Sequence, residues 1–114
     1  MTHPPTIRDT ERLRQLTEQG VAIWLDDLSR DRLDSGTLRR LVEECYVVGV
    51  TSNPTIFQTA ITKSSAYDDQ LRMHADLGSD AETAIHDMTT DDVRAACDLL
   101  APVAERTGGL DGRV

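Results

Sequence analysis

The run Val47-Val48-Gly49-Val50-Thr51-Ser52-Asn53-Pro54-Thr55-Ile56-Phe57 decides the fold. A short, Val-rich stretch without charge meets a Thr-Ser-Asn step, then a proline, then a new apolar pattern. Such a stretch suits a strand covered on both faces. Asn53 suits a helix N-cap, because its side-chain oxygen can accept an N–H of the first turn. Pro54 suits the first helical position, where no N–H partner is lost. The segment therefore reads as strand, tight turn and helix. A polar step at the carboxyl end of a buried parallel strand is where α/β enzymes place their chemistry. The same residues also fit a capped βα junction with no chemistry at all.

Upstream, residues 21–26 form a second strand candidate, uncharged until it ends in acid. Its alternation sets Ala22, Trp24 and Asp26 on one face and Val21, Ile23 and Leu25 on the other. Trp24 is expected in the core rather than at a ligand, unless the fold leaves its face turned toward a substrate. Residues 27–35 read as a loop with a helical turn, with Asp27 capping or solvating it. Ser35 or Gly36 then opens a helix with Leu38, Leu41, Val42 and Cys45 on one side. At the amino end, Thr6 or Asp9 caps a helix reaching about Glu18, with Leu13 and Leu16 inward and Gly20 as its stop. Residues 1–5 are expected to be disordered.

Downstream of the deciding stretch, Ile56, Phe57, Ala60 and Ile61 share one helical face. Ser64 or Ser65 begins another helix through Tyr67 and Leu71, ending near Gly78. Ser79 reads as the cap of a short helix carrying Ala84, Ile85 and Met88. Thr89-Thr90-Asp91-Asp92 resembles a capping box with acid in its first turn, opening a further helix. Val93, Ala96, Cys97, Leu100 and Val103 form the stripe of that helix, with Ala104 beside it. Pro102 bends its last turns and Gly108-Gly109 ends it. Residues 110–114 lead toward another strand. Two strands joined by helical crossovers indicate a parallel α/β sheet. Two strands alone do not make a stable one, so the pattern points to a portion of a larger α/β protein.

At 114 residues the chain holds at most one domain. Twelve basic against 20 acidic residues give a net charge of −8, which disfavours general binding to nucleic acid or anionic membrane. No apolar run approaches the ~20 residues of a membrane span. The first residues lack the apolar region of a signal peptide, and a cytoplasmic protein is expected. Cys45 and Cys97 have no metal-type spacing and read as reduced, partly buried thiols. His3, His74 and His86 lie among polar residues with no i, i+4 pair, so no metal site is expected.

Trp24-Leu25-Asp26 with Arg30 close behind, followed by Gly49-Val50-Thr51-Ser52-Asn53-Pro54-Thr55-Ile56-Phe57, resembles transaldolase. Tyr67 after the Asn-Pro helix and Asp91-Asp92-Val93 fit as well. Asp111-Gly112-Arg113-Val114 resembles the start of that family's third barrel strand. The resemblance runs from about Leu13 to Val114. It implies the amino-terminal portion of a (β/α)8 TIM barrel, namely a leading helix and the first two β/α units, as a single partial domain cut before the third strand.

It also implies transfer of a dihydroxyacetone unit between ketose and aldose phosphates in the pentose phosphate pathway, through a Schiff-base lysine. Asp26 matches the strand-one aspartate that exchanges a proton with the substrate hydroxyl. Asn53 matches the asparagine that hydrogen-bonds the dihydroxyacetone part, and Thr51 lies two residues earlier on the same face. No cofactor is implied. Sugar phosphates are the implied substrates of the complete enzyme, and oligomers are compatible with the family.

The physics agrees with these roles. Carbon–carbon cleavage beside an alcohol needs a base, which a carboxylate in a site of low dielectric can supply. Asparagine can donate and accept to polyol oxygens without adding charge.

Two departures stand out. Cys45-Tyr46 replaces the acidic residue and glycine frequent in the family. The length falls short of the ~250 residues of a barrel, and the family's Schiff-base lysine, strand-three glutamate and phosphate-binding arginine have no counterpart here. Lys63, the single lysine, sits ten residues past Asn53 and reads as a solvated surface residue. The 114-residue chain alone is therefore expected to be inactive. The competing reading is a fragment without catalysis, acting as a binding or assembly module. A different Schiff-base aldolase of the same fold is a weaker third.

Overall fold

The computed structural model describes residues 6–26 and 28–114, with the side chains of Ile7 and of residues 54–56 outside that description. The expected disorder of residues 1–5, His3, the capping role of Asp27 and the place of Ile56 on its stripe lie outside it too. The elements in order are α1 (Ile7–Glu18), β1 (Ile23–Asp26), α2 (Arg30–Asp34), α3 (Thr37–Glu44), β2 (Val47–Thr51) and α4 (Pro54–Lys63). A 3-10 turn (Ser65–Tyr67), α5 (Asp68–Leu77) and α6 (Ala81–Arg106) follow.

β1 and β2 are parallel, with Trp24 opposite Gly49, Leu25 opposite Val50 and Asp26 opposite Thr51. The crossover through α2 and α3 imposes this direction, because a parallel partner needs a connection that returns the chain to the same end. Arg113 joins the far side of β2. The Gly112 N–H donates to the Val48 carbonyl at 2.7 Å, and the Val50 N–H donates to the Arg113 carbonyl at 3.2 Å. Residues 112–113 thus lie parallel beside β2, where the sequence places the start of a strand. Gly112 has φ +84, and a Cβ there would stand 2.5 Å from the Ala104 nitrogen, so this approach needs glycine.

The main core lies on one face of the strands. Leu28, Leu38, Val50 and Phe57 meet Ala96, Leu100 and Val103 of α6. Each fully buried Leu, Val or Phe is worth about 1.5–3 kcal/mol relative to exposure. A smaller cluster of Tyr67, Ala84 and Met88 joins the α4–α5 region to the first half of α6.

Several expectations change in three dimensions. The two helices expected around residues 79–107 are one helix of 26 residues. Asp80, not Ser79, caps it, accepting the Thr83 N–H at 2.8 Å. Thr90 lies inside it, its hydroxyl donating to the His86 carbonyl at 2.7 Å. The buried positions Ala84, Met88, Asp92, Ala96, Leu100 and Val103 continue through the supposed break, so a continuous stripe outweighs a local capping pattern. Pro102 lies within the helix without ending it. Gly108 and Gly109 close it at φ +63 and +84, with the Gly109 N–H on the Ala104 carbonyl at 2.8 Å.

β1 starts at Ile23, and Val21 and Ala22 are exposed. Leu13 is half-buried but Leu16 is exposed, since a shared helical face does not guarantee that a partner covers it. Cys45 is buried while Cys97 is exposed. Tyr46, just before β2, has φ +65 where glycine would be unstrained. Among the described residues, no helix is long and apolar enough to cross a membrane.

Candidate active site

Both strands end in polar side chains at the same end of the sheet. The register sets Asp26 opposite Thr51. The Thr51 hydroxyl donates to Asp26 Oδ1 at 2.6 Å, which joins residues 25 positions apart in sequence. An ionised carboxylate has about four acceptor positions, and the threonine occupies one.

Leu28 is tied to the end of β2 as well. The Leu28 N–H donates to the Thr51 carbonyl at 3.3 Å, and the Leu28 side chain is buried in the core. Asn53 stands two residues past Thr51, directly before α4. Its carbonyl accepts the Phe57 N–H at 2.9 Å, the first bond of the helix. Asp26 and Asn53 are both exposed, and Thr51 is half-buried.

Trp24 shares the face of Asp26 and is 42% exposed, contrary to the core position expected from the sequence. Its ring lies over Gly49 of β2. A Cβ on Gly49 would meet the indole at 2.4 Å, so the missing side chain gives the ring its seat. The core expectation failed because the alternation of β1 sends Trp24 to the face away from the helices.

Beside the end of β2, Ser52 opens a cavity of about 710 Å³ that runs between Phe57 and the Ile85, Thr89 and Val93 positions of α6. Among the described residues no group of three or more His, Cys, Asp or Glu is set to hold a metal ion.

Behind the strand ends lies a buried polar cluster absent from the expected site. Asp92 is 2% exposed and belongs to the buried stripe of α6. The Arg30 Nε donates to Asp92 Oδ1 at 2.8 Å, and the Tyr67 hydroxyl donates to Oδ2 at 2.5 Å. The remaining guanidinium nitrogens reach Gln70 Oε1 at 2.7 Å and the Met88 carbonyl at 3.3 Å. The guanidinium carbon also lies 4.4 Å from the centre of the Tyr67 ring, a cation–π arrangement. The Tyr67 oxygen accepts the Arg30 backbone N–H at 3.0 Å. Burial first, then the bond to Asp92, pushes the Tyr67 phenol well above its ordinary range.

Gln70 extends the cluster outward, its amide donating to Asp87 at 3.2 Å and Asp91 at 3.0 Å. His74 then pairs with Asp87 at 2.8 Å through Nε2 and with Ser79 at 3.0 Å through Nδ1. His74 is buried, not placed among solvated polar groups. Its bond to Asp87, then that of Gln70, holds the Asp87 carboxyl below the usual carboxylate range.

The sequence carried one sign of this cluster. Asp92 falls four residues after Met88 and four before Ala96, a charge on an otherwise apolar stripe. A charge there needs a buried partner.

Comparisons with known proteins agree with the resemblance. A family model described as transaldolase/fructose-6-phosphate aldolase matches residues 23–114. A transaldolase of Arthrobacter sp. is 55% identical over 105 residues, covering 92% of this chain and 28% of that protein. Transaldolase 2 of Streptomyces coelicolor is 54% identical over 105 residues, with the same coverage of 92% and 28%. A transaldolase of Mycobacterium ulcerans is 54% identical over 102 residues, covering 90% of this chain and 27% of that protein. The chain thus spans less than a third of the length of these curated relatives.

Proposed function

Since the chain belongs to the transaldolase/fructose-6-phosphate aldolase family, we propose that it supplies the leading helix and the first two β/α units of a (β/α)8 transaldolase. The complete enzyme moves a dihydroxyacetone unit between ketose and aldose phosphates in the pentose phosphate pathway of the cytoplasm. The observation that carries this reading is the 2.6 Å bond between Thr51 and Asp26 at the carboxyl ends of two parallel strands.

In the proposed reaction Asp26 takes the proton of the hydroxyl whose carbon leaves as the aldehyde. It returns that proton when the acceptor aldehyde adds. Thr51 holds the carboxylate in place through one oxygen, which keeps proton transfer within reach. Asn53 hydrogen-bonds the dihydroxyacetone oxygens.

The Schiff-base amine comes from outside these residues. Lys63 ends the ten-residue helix α4 while Asn53 precedes it. At 1.5 Å per residue the two are about 15 Å apart. Borohydride reduction with fructose 6-phosphate is expected to leave the 114-residue chain unmodified. An adduct on Lys63 in the intact mass would overturn the assignment of that amine.

The test of Asp26 uses a completed barrel, in which this chain replaces the corresponding residues of the Arthrobacter relative. Asp26→Asn is expected to lower kcat about 10²–10⁴-fold, the usual worth of a general base. Activity within a few-fold of the parent would remove Asp26 from that role.

A further inference from the structure

We propose that Arg30, clamped between Tyr67 and Asp92, is a positioning residue that holds the Asp26 carboxylate on Thr51. This rests on the reading of Asp26 as the proton acceptor.

Contacts hold Asp26 and Leu28 on one side of this turn and Arg30 on the other. At the strand end, the Thr51 hydroxyl binds Asp26 and the Thr51 carbonyl accepts the Leu28 N–H. At the helix end, the Arg30 N–H rests on the Tyr67 oxygen. The Arg30 side chain is committed on every nitrogen, to Asp92, Gln70 and the Met88 carbonyl. Tyr67 is fully buried and Asp92 nearly so, and neither can turn aside without losing a bond that water cannot replace.

Asp26 itself is exposed, and the contact that directs its carboxylate is the bond from the Thr51 hydroxyl. Thr51 is tied in turn through its carbonyl to the Leu28 N–H, two residues before the Arg30 clamp. The clamp therefore carries the rigidity of α6 to the open end of the sheet. A supporting shell of this kind matters because a displacement of about 1 Å can cost 10²-fold in rate.

The test uses Tyr67→Phe, which removes the acceptor of the Arg30 N–H and one donor to Asp92. Arg30→Lys is the second variant. It keeps the charge but cannot make the forked contacts, and it serves if Tyr67→Phe fails to fold.

In the 114-residue chain itself, amide exchange at Leu28 is expected to speed up about tenfold or more in either variant, because the turn opens locally. Unchanged protection at Leu28 would overturn the proposal. In the completed barrel, Tyr67→Phe is expected to lower kcat about tenfold with KM within about twofold. The same change in an Asp26→Asn background is expected to add no further loss, since the two act through one group. An equal loss in both backgrounds means a general structural role and overturns the proposal. If Asp26→Asn is inactive while Tyr67→Phe keeps the parental kcat, the positioning role fails and the reading of Asp26 stands. If Asp26→Asn is as active as the parent, both fall.

Discussion

The two halves of α6 differ in what holds them: the second half is held by apolar packing, and the first half adds a buried polar cluster to its apolar contacts. Its second half, with Ala96, Leu100 and Val103, packs on the strands through apolar contacts with Leu28, Leu38, Val50 and Phe57. Its first half reaches α2, α5 and the 3-10 turn through Asp92, Arg30, Tyr67 and Gln70. Apolar packing is non-directional and tolerates exchange at constant volume. Charge-assisted bonds fix one geometry and penalise any loss of a partner. The firm half therefore holds the sheet together, and the directional half sets where the loop after β1 stands.

The largest expected effect separates the two directly. Asp92→Ala strands a largely buried guanidinium and is expected to cost about 3–5 kcal/mol, against about 3 kcal/mol for Leu100→Ala. Urea midpoints of the two variants decide the order. The comparison breaks if Leu100→Ala proves the more severe. It sharpens if Arg30→Met, Tyr67→Phe and Asp92→Leu together regain most of the loss, because an apolar replacement then restores stability without the geometry.

Alkaline pH gives the next effect. The folded state raises the Tyr67 phenol above its unfolded value near 10. The stability linked to this proton is complete below about pH 10 and is lost as pH rises toward the folded value. Tyr67→Phe is expected to remove that alkaline slope, as read from denaturation midpoints across pH. A slope that persists in the variant would place the titrating group elsewhere.

The smallest effect lies at the outer end of the seam. Asp87 is lowered in the folded state by His74 and Gln70, so its contribution is present above about pH 4 and fades as pH falls through the folded value. Asp87→Asn is expected to flatten the acid limb slightly. A variant whose acid limb matches the parent would confine the seam's pH response to its buried end.

The legible parts of the fold were those written in local period. Leu38 and Cys45 follow the stripe assigned to α3, and both lie in the interior. Gly78 and Gly108 end helices as their conformational freedom suggests. Asp26 and Thr51 could be placed at strand ends because a strand's length and polarity change are visible in a few residues. Their mutual bond was not visible, since it needs the register of two strands separated by a crossover.

The structure departs from the local reading where tertiary packing or strand parity decides. Thr89-Thr90-Asp91-Asp92 imitates a helix start, but local capping is worth only about 1 kcal/mol, less than burying Met88 and Leu100 on a single continuous face. Trp24 was assigned to the interior by its type, while its face was decided by the parity of β1.

By itself, then, the sequence determined a parallel α/β arrangement, its helix faces, and a carboxylate, a threonine and an asparagine at the strand ends. Hydrophobic period and cap chemistry act over a few residues, and a few residues suffice to read them. Only the tertiary structure decided that Arg30 meets Asp92 across 62 positions and that Tyr67 meets it across 25. Only the tertiary structure decided that the Trp24 ring rests on Gly49. Such contacts depend on how whole helices and strands dock, and a directed bond between distant residues leaves no periodic trace in the chain.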